Sequence, residues 1–226
     1  MNYGKEFEKY AMSDHNVSSM NIHYIKQQIE NSMTPYILEE REMRATQIDI
    51  FSRLMADRLL WVAGTVNDKM STIVQAQLMF LSNTGSDDIT MHIDSPGGSV
   101  KSGLSMVDVM EYISCDIITV NTGLAASMGS VLLGAGTKGK RSALRHSTTM
   151  LHQSSGGVSG NIIDAEINWK EWNKVNEELF VLLGGYCGKS AKQVKEDASR
   201  DFWLSAKEAV KYGIIDEVIK PQVKQK

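Results

Sequence analysis

The residues able to do chemistry gather in two glycine-bearing turns, Ser95-Pro96-Gly97-Gly98 and Gly123-Leu124-Ala125-Ala126-Ser127-Met128-Gly129. The second approaches the G-x-S-x-G elbow of serine hydrolases, with Ala125 where the first glycine belongs. A small residue there still permits a tight strand-to-helix turn. Ser127 would then stand at a helix start, where free N–H groups favour developing negative charge. An ordinary N-cap serine carries the same local signature. In the first turn, Pro96 stiffens the chain, and Gly97 and Gly98 let main-chain N–H groups approach a substrate closely. With the N–H of Met128, that turn is a candidate oxyanion hole. A plain strand-to-helix connection is the competing reading.

A serine nucleophile needs a base. His15 and His23 lie in a polar arm, His92 alternates within a strand, and His146 falls in a turn. His152 follows the apolar strand end Met150-Leu151 and precedes Gln153-Ser154-Ser155-Gly156-Gly157, so it sits at another strand end. A lone histidine is more often structural than catalytic. Asp164, Asp197 and Asp201 could each orient it, and local reasoning leaves all three open; Arg200-Asp201 reads equally as a surface ion pair. The run Gly134-Ala135-Gly136-Thr137-Lys138-Gly139-Lys140-Arg141 nearly spells a phosphate-binding loop. Arg141 replaces the hydroxyl residue that would hold magnesium, and the run trails a helix, so nucleotide binding is not expected. Cys115 and Cys187 form no C-x-x-C pair and lack a nearby histidine, which argues against zinc, a disulfide framework and a thiol nucleophile.

The elements that must position these residues are legible from Ile50 onward. Ile50, Phe51, Leu54, Met55 and Leu59 recur at helical spacing, and Leu60–Val66 reads as a buried strand. Met70, Ile73, Val74, Leu78 and Leu81 form the stripe of a second helix. Ile89–Ile93 is a strand running into the first turn. A helix with Val100, Leu104, Val107 and Met110 on one face follows. The strand Ile117–Val120, a turn at Gly123 and a helix near Ser127 come next. A strand-and-turn region spans 142–151, and a long helix is predicted over about 161–183. Ser205-Ala206-Lys207-Glu208 is a capping box, Gly213 a helix stop, and Ile214, Ile215 and Val218 a closing strand. Alternating strands and helices predict an α/β fold with right-handed βαβ crossovers and a mainly parallel sheet.

The bulk numbers narrow the class. A chain of 226 residues suits one sizeable domain with extensions. A net charge of −3 gives no basic surplus for nucleic acid. No apolar run approaches a membrane span, and Glu6, Glu8 and Asp14 interrupt any signal-like start. A cytoplasmic protein is expected, with two cysteines fitting a reducing compartment.

Taken in order, five further stretches join the first turn's Asp94–Val100: Ala125–Gly129, Ala135–Arg141, Met150–Gln153, Ser199–Ala206 and Tyr212–Asp216. Together they resemble the Clp protease proteolytic-subunit (ClpP) family from about Thr46 to Ile219. The resemblance implies a ClpP/crotonase-like fold of repeated β-β-α and βαβ units with a protruding handle helix at about 161–183. It implies an arm or propeptide over 1–45, a peptidase domain over 46–219 and a tail over 220–226. It assigns Ser127, His152 and Asp201 as a catalytic triad, and the backbone N–H groups of Gly98 and Met128 as the oxyanion hole. Ser99-Val100 and Gly156-Gly157 would pair with an extended peptide. It further implies two stacked seven-membered rings of this chain and a partner AAA+ unfoldase that hydrolyses ATP. The chain itself would bind no cofactor and no metal. Where the family usually has proline, this chain has Arg145 and Ser154; where it often has aromatics in the unfoldase-docking region, Thr90 and His92 stand. The alternatives are a non-catalytic ring member and an acyl-CoA enzyme of the related crotonase fold, which would not need Ser127, His152 and Asp201 together.

Overall fold

A computed structural model describes residues 36–41, 44–157 and 160–221. The expected arm or propeptide lies largely outside the described residues, as does the tail beyond 221. The chain divides into two compact units, residues 1–53 and 54–226. In the first, strand β1 (Tyr36–Arg41) pairs antiparallel with β2 (Arg44–Asp49), Tyr36 opposite Asp49 and Arg41 opposite Arg44. Helix α1 (Ile50–Ala56) crosses the division.

The second unit is built on a seven-stranded, mostly parallel sheet. Strand β3 (Leu59–Ala63) is its edge and pairs with β4 (Ile89–Ser95), which pairs with β5 (Ile117–Ala126). Beyond β5 lie β6 (Arg141–Ala143) and β9 (Glu217–Val218). Two more strands branch from β5: β7 (Thr148–Leu151) parallel to it, and β8 (Phe202–Ser205) antiparallel to β7. The helices are α2 (Asp68–Thr84), α3 (Val100–Tyr112), α4 (Met128–Gly134), α5 (Ile162–Cys187), α6 (Ala191–Asp197) and α7 (Ala206–Tyr212).

Several elements differ from the sequence expectation for physical reasons. β3 is not buried throughout: as the edge strand it alternates, and Trp61 stays 45% exposed. On α2 the buried face is Ser71, Val74, Leu78 and Leu81, while Ile73 faces out. Ser71 is tolerated inside because its hydroxyl bonds the Ser102 carbonyl at 2.7 Å. No turn occurs at Gly123. β5 continues through it, and the β4–β5 register slips from Ile93–Asn121 to Ser95–Ala125. The Asp94 carboxylate fills that irregularity, accepting from the Leu124 N–H at 2.9 Å. A Cβ on Gly123 would lie 2.7 Å from Asp94 Oδ1. α5 runs past Leu183 to Cys187, ending at Gly188 in the left-handed region. The Ser205 capping box and the Gly213 stop of α7 are as the sequence indicates.

The near phosphate-loop sequence folds as the end of α4, a turn and β6. Arg141 is buried and holds four elements together. It bonds both carboxylate oxygens of Asp216, at 2.9 and 2.7 Å, and the carbonyls of Tyr186 and Gly213 at 2.9 and 3.1 Å. Burial opposes ionisation of Asp216, but the hydrogen bonds and charge of Arg141 outweigh it and hold the carboxyl below its ordinary range. The stabilisation is therefore complete above the unfolded carboxyl value and is lost as pH falls through the depressed native one. Asp216→Ala leaves a buried guanidinium unpaired and should cost about 3–5 kcal/mol in urea unfolding at fixed protein concentration. Asp216→Asn should flatten the acid limb of the stability curve; an unchanged acid limb would refute this reading.

Candidate active site

Two strand registers bring the site together. In the parallel β5–β7 pair, Ala126 lies opposite Met150, so the residue after β5, Ser127, comes level with the end of β7. The Ser127 N–H donates to the Met150 carbonyl at 2.9 Å. In the antiparallel β7–β8 pair, Leu151 lies opposite Phe202. Continuing that register sets His152 beside Asp201, and His152 Nδ1 is 3.3 Å from Asp201 Oδ1. The other two aspartates are engaged elsewhere. Asp164 is bonded to Asn161 at the start of α5, and Asp197 accepts from the Tyr212 hydroxyl and from Gln193. Of the three candidates left open by local reasoning, Asp201 is the one that meets the imidazole.

Ser127 precedes α4 with φ 54° and ψ −122°, a left-handed backbone that a non-glycine residue adopts at a cost of about 1–3 kcal/mol. Its side chain makes no capping hydrogen bond, so the ordinary N-cap reading fails on geometry. Ser127 instead lines a narrow cavity together with His152, walled by Val100, Leu179, Phe180 and Leu183. No hydrogen bond joins Ser127 Oγ to His152 here; such contacts commonly tighten only when substrate binds.

The candidate oxyanion turn packs directly on this elbow. Gly97 has φ +92°, and a Cβ on it would fall 2.7 Å from both the Ala126 carbonyl oxygen and Ser127 Cβ. Gly129 is pressed on the other side against the Ser95 carbonyl oxygen. Gly98 forms an isolated parallel bridge with Val66: the Val66 N–H bonds the Gly97 carbonyl, and the Ser99 N–H bonds the Val66 carbonyl. In that pattern the N–H of Gly98 itself points away from Val66. Among the described residues, neither the Gly98 nor the Met128 amide donates a hydrogen bond. Ser99 caps α3, and Val100 opens it against the cavity.

Beyond His152 the chain lines a cleft of about 770 Å³ with Ser154, Gly156, Trp169, Trp172 and Asp201. Gly157 is open to solvent, with nothing within contact of a Cβ. Trp172, Asn176 and Phe180 were not flagged by sequence reasoning, because on a long helix they read as ordinary face residues; only their spacing of four marks a shared face. Cys187 is no rival nucleophile. Burial, only partly offset by Arg141, Lys189 and Lys138, pushes its thiol up to about 11. Among the described residues, no group of three or more His, Cys, Asp or Glu could hold a metal.

The family model "Clp protease" matches residues 40–222. A protein of Bacteroides fragilis (strain YCH46) named ATP-dependent Clp protease proteolytic subunit is 44% identical over 215 residues, covering 95% of this chain and 98% of that protein. A protein of the same name from Porphyromonas gingivalis is 42% identical over 215 residues, covering 95% and 97%. A third so named, from another Bacteroides fragilis strain, is 48% identical over 188 residues, covering 83% and 91%.

The elbow's dependence on a missing side chain is testable. Gly97→Ala should slow modification of Ser127 by a fluorophosphonate probe by about tenfold or more, because a shift of about an ångström at a reacting group has effects of that order. Wild-type labelling in that variant would refute the close contact.

Proposed function

The chain belongs to the Clp protease family, and we propose from that membership that it is the proteolytic subunit of an ATP-dependent Clp protease, a serine endopeptidase working through Ser127, His152 and Asp201. The observation that carries the site assignment is the strained, uncapped Ser127 elbow lining one cavity with His152, whose Nδ1 meets Asp201.

In this reading His152 removes the proton of Ser127 as Oγ attacks the peptide carbonyl. Asp201 holds the imidazole tautomer with its Nδ1–H toward the carboxylate and steadies the imidazolium. The carbonyl oxygen, gaining charge, is met by the amides of Gly98 and Met128. Each such donor is worth about 3–4 kcal/mol in the transition state. His152 then gives its proton to the leaving amine, and water, deprotonated by the same imidazole, releases the acyl group. Ser99-Val100 on one side and Gly156-Gly157 on the other would pair with the extended substrate backbone, which suits unfolded polypeptides of varied sequence.

As a Clp proteolytic subunit the chain associates with a Clp ATPase, and ATP use belongs to that partner. The fold of the 134–141 segment supports this, since it turns from a helix into a strand around buried Arg141. Trp61 stacks on His92 with ring centroids 4.7 Å apart, so an aromatic surface persists on β3 and β4 where the family docks its unfoldase. A ring assembly of this chain is supported by the exposed Ile162, Ile163, Ile167 and Trp169 on α5, too much apolar surface to leave in water. The division into a 1–45 arm, a 46–219 peptidase domain and a 220–226 tail belongs to the same proposal. So does a cytoplasmic location; no described helix is long and apolar enough to cross a membrane. Nothing favours the non-catalytic or acyl-CoA readings.

The test is intact mass after fluorophosphonate treatment, with sizing chromatography alongside. A single adduct lost in Ser127→Ala is expected; an assembled, unlabelled wild type would overturn the peptidase reading. Asp201→Asn should lower peptide turnover by orders of magnitude, about 10⁴ in the best-studied triads. An unchanged rate would remove Asp201 from the mechanism.

A further inference from the structure

His152 lies just past the end of β7, so no strand ladder fixes its backbone. What fixes it comes from both sides. On one side the Gln153 N–H donates to the Ala198 carbonyl at 3.2 Å. On the other, α5 presents Trp172 and Asn176, one turn apart on the same face. Asn176 Oδ1 accepts from the Ser154 N–H at 2.9 Å and from the Ser154 hydroxyl at 2.8 Å. Trp172 Nε1–H donates to the same hydroxyl at 2.7 Å. The Trp172 ring also lies on the Gly156 backbone, so closely that a Cβ there would fall 2.0 Å from Cη2. Asn176, Ser154 and His152 line both the narrow cavity at Ser127 and the cleft beyond it.

We propose that Trp172 and Asn176 are positioning residues for peptide hydrolysis. They clamp the 152–156 segment onto α5, setting the imidazole of His152 toward Ser127. The inference rests on the triad reading above. It explains how His152 is held although its carboxylate partner is 62% exposed and 3.3 Å away, a contact weakened by water. It also gives Ser154 a purpose, since a proline there would offer Asn176 neither the N–H nor the hydroxyl.

Asn176 uses only its carbonyl oxygen in the clamp, which makes a clean pair of variants possible. Asn176→Leu keeps the shape and loses the acceptor; Asn176→Asp keeps the acceptor. Asn176→Leu should lower kcat for a short peptide by about tenfold with KM nearly unchanged and the assembly size intact. Asn176→Asp should recover most of that loss. In a His152→Ala background, read by slow turnover of an activated ester, Asn176→Leu should cost nothing further, because the clamp acts through His152. Trp172→Phe removes the N–H together with the outer ring atoms that lie over Gly156, so it tests the clamp if Asn176→Leu fails to assemble; a loss in kcat of roughly threefold or more is expected. A wild-type kcat in whichever of these two variants assembles, or an equal loss with and without His152, would overturn the clamp while leaving the triad standing. A wild type that the fluorophosphonate does not label at Ser127 would overturn both.

Discussion

The site depends on one contact: the backbone of Gly97 against the backbone of the Ser127 elbow. Gly97 lies where a single methyl group would collide with Ala126, Ser127 and Met128 at once. In the proposed mechanism that closeness brings two amides from different strand ends, Gly98 and Met128, to one oxyanion. The strained φ of Ser127 is tolerated because its N–H is tied to Met150 and its following carbonyl is taken up by the first turn of α4. Relaxing the strain would break those bonds, so the surrounding sheet keeps the Ser127 elbow in place.

The sheet makes this possible by changing partners midway along β5. Thr119–Asn121 pair with β6, whereas Leu124–Ala126 pair with β7. Buried Asn121 bridges the change, its amide donating to the Thr148 carbonyl at 3.0 Å and to Thr149 Oγ1 at 3.2 Å. The irregularity at Gly123 supplies the extra length. Without the switch, β5 would end beside β6, and Ser127 would not come level with the end of β7. Behind the sheet, Arg141 and Asp216 close the layer formed by the ends of α4, α5 and α7. A charged pair, and not apolar packing, does this because several helix-terminal carbonyls converge there and need donors.

The proposed base is held differently from the proposed nucleophile. Ser127 is fixed by the sheet, whereas His152 projects beyond it and is seated by the long helix and by the Ala198 carbonyl. In the proposed mechanism, activity thus depends on how α5 lies on the body of the subunit. The same helix exposes Ile162, Ile163 and Ile167 in its N-terminal half, so whatever covers them acts on the element that carries Trp172 and Asn176.

The sequence by itself determined the alternating α/β order, the presence of α2 and α3, the capping box at Ser205 and the Ser95–Gly98 turn, because these are local patterns of periodicity and backbone freedom. The ordered run of motifs added the family and, through the resemblance, the candidate site residues. Local pattern could not separate Asp164, Asp197 and Asp201, since their difference is one of register: Leu151 opposite Phe202 is a pairing across some fifty residues of chain. It also misread Gly123 as a turn, because a glycine beside a partner's carboxylate and a glycine in a turn look alike in sequence. Only the tertiary structure decided that Ser127 is uncapped and strained, that Gly97 touches it, and that Trp172 and Asn176 reach the segment after His152. Each of those facts is a distance between atoms far apart in the chain, and the packing of the whole sheet and its helices sets it.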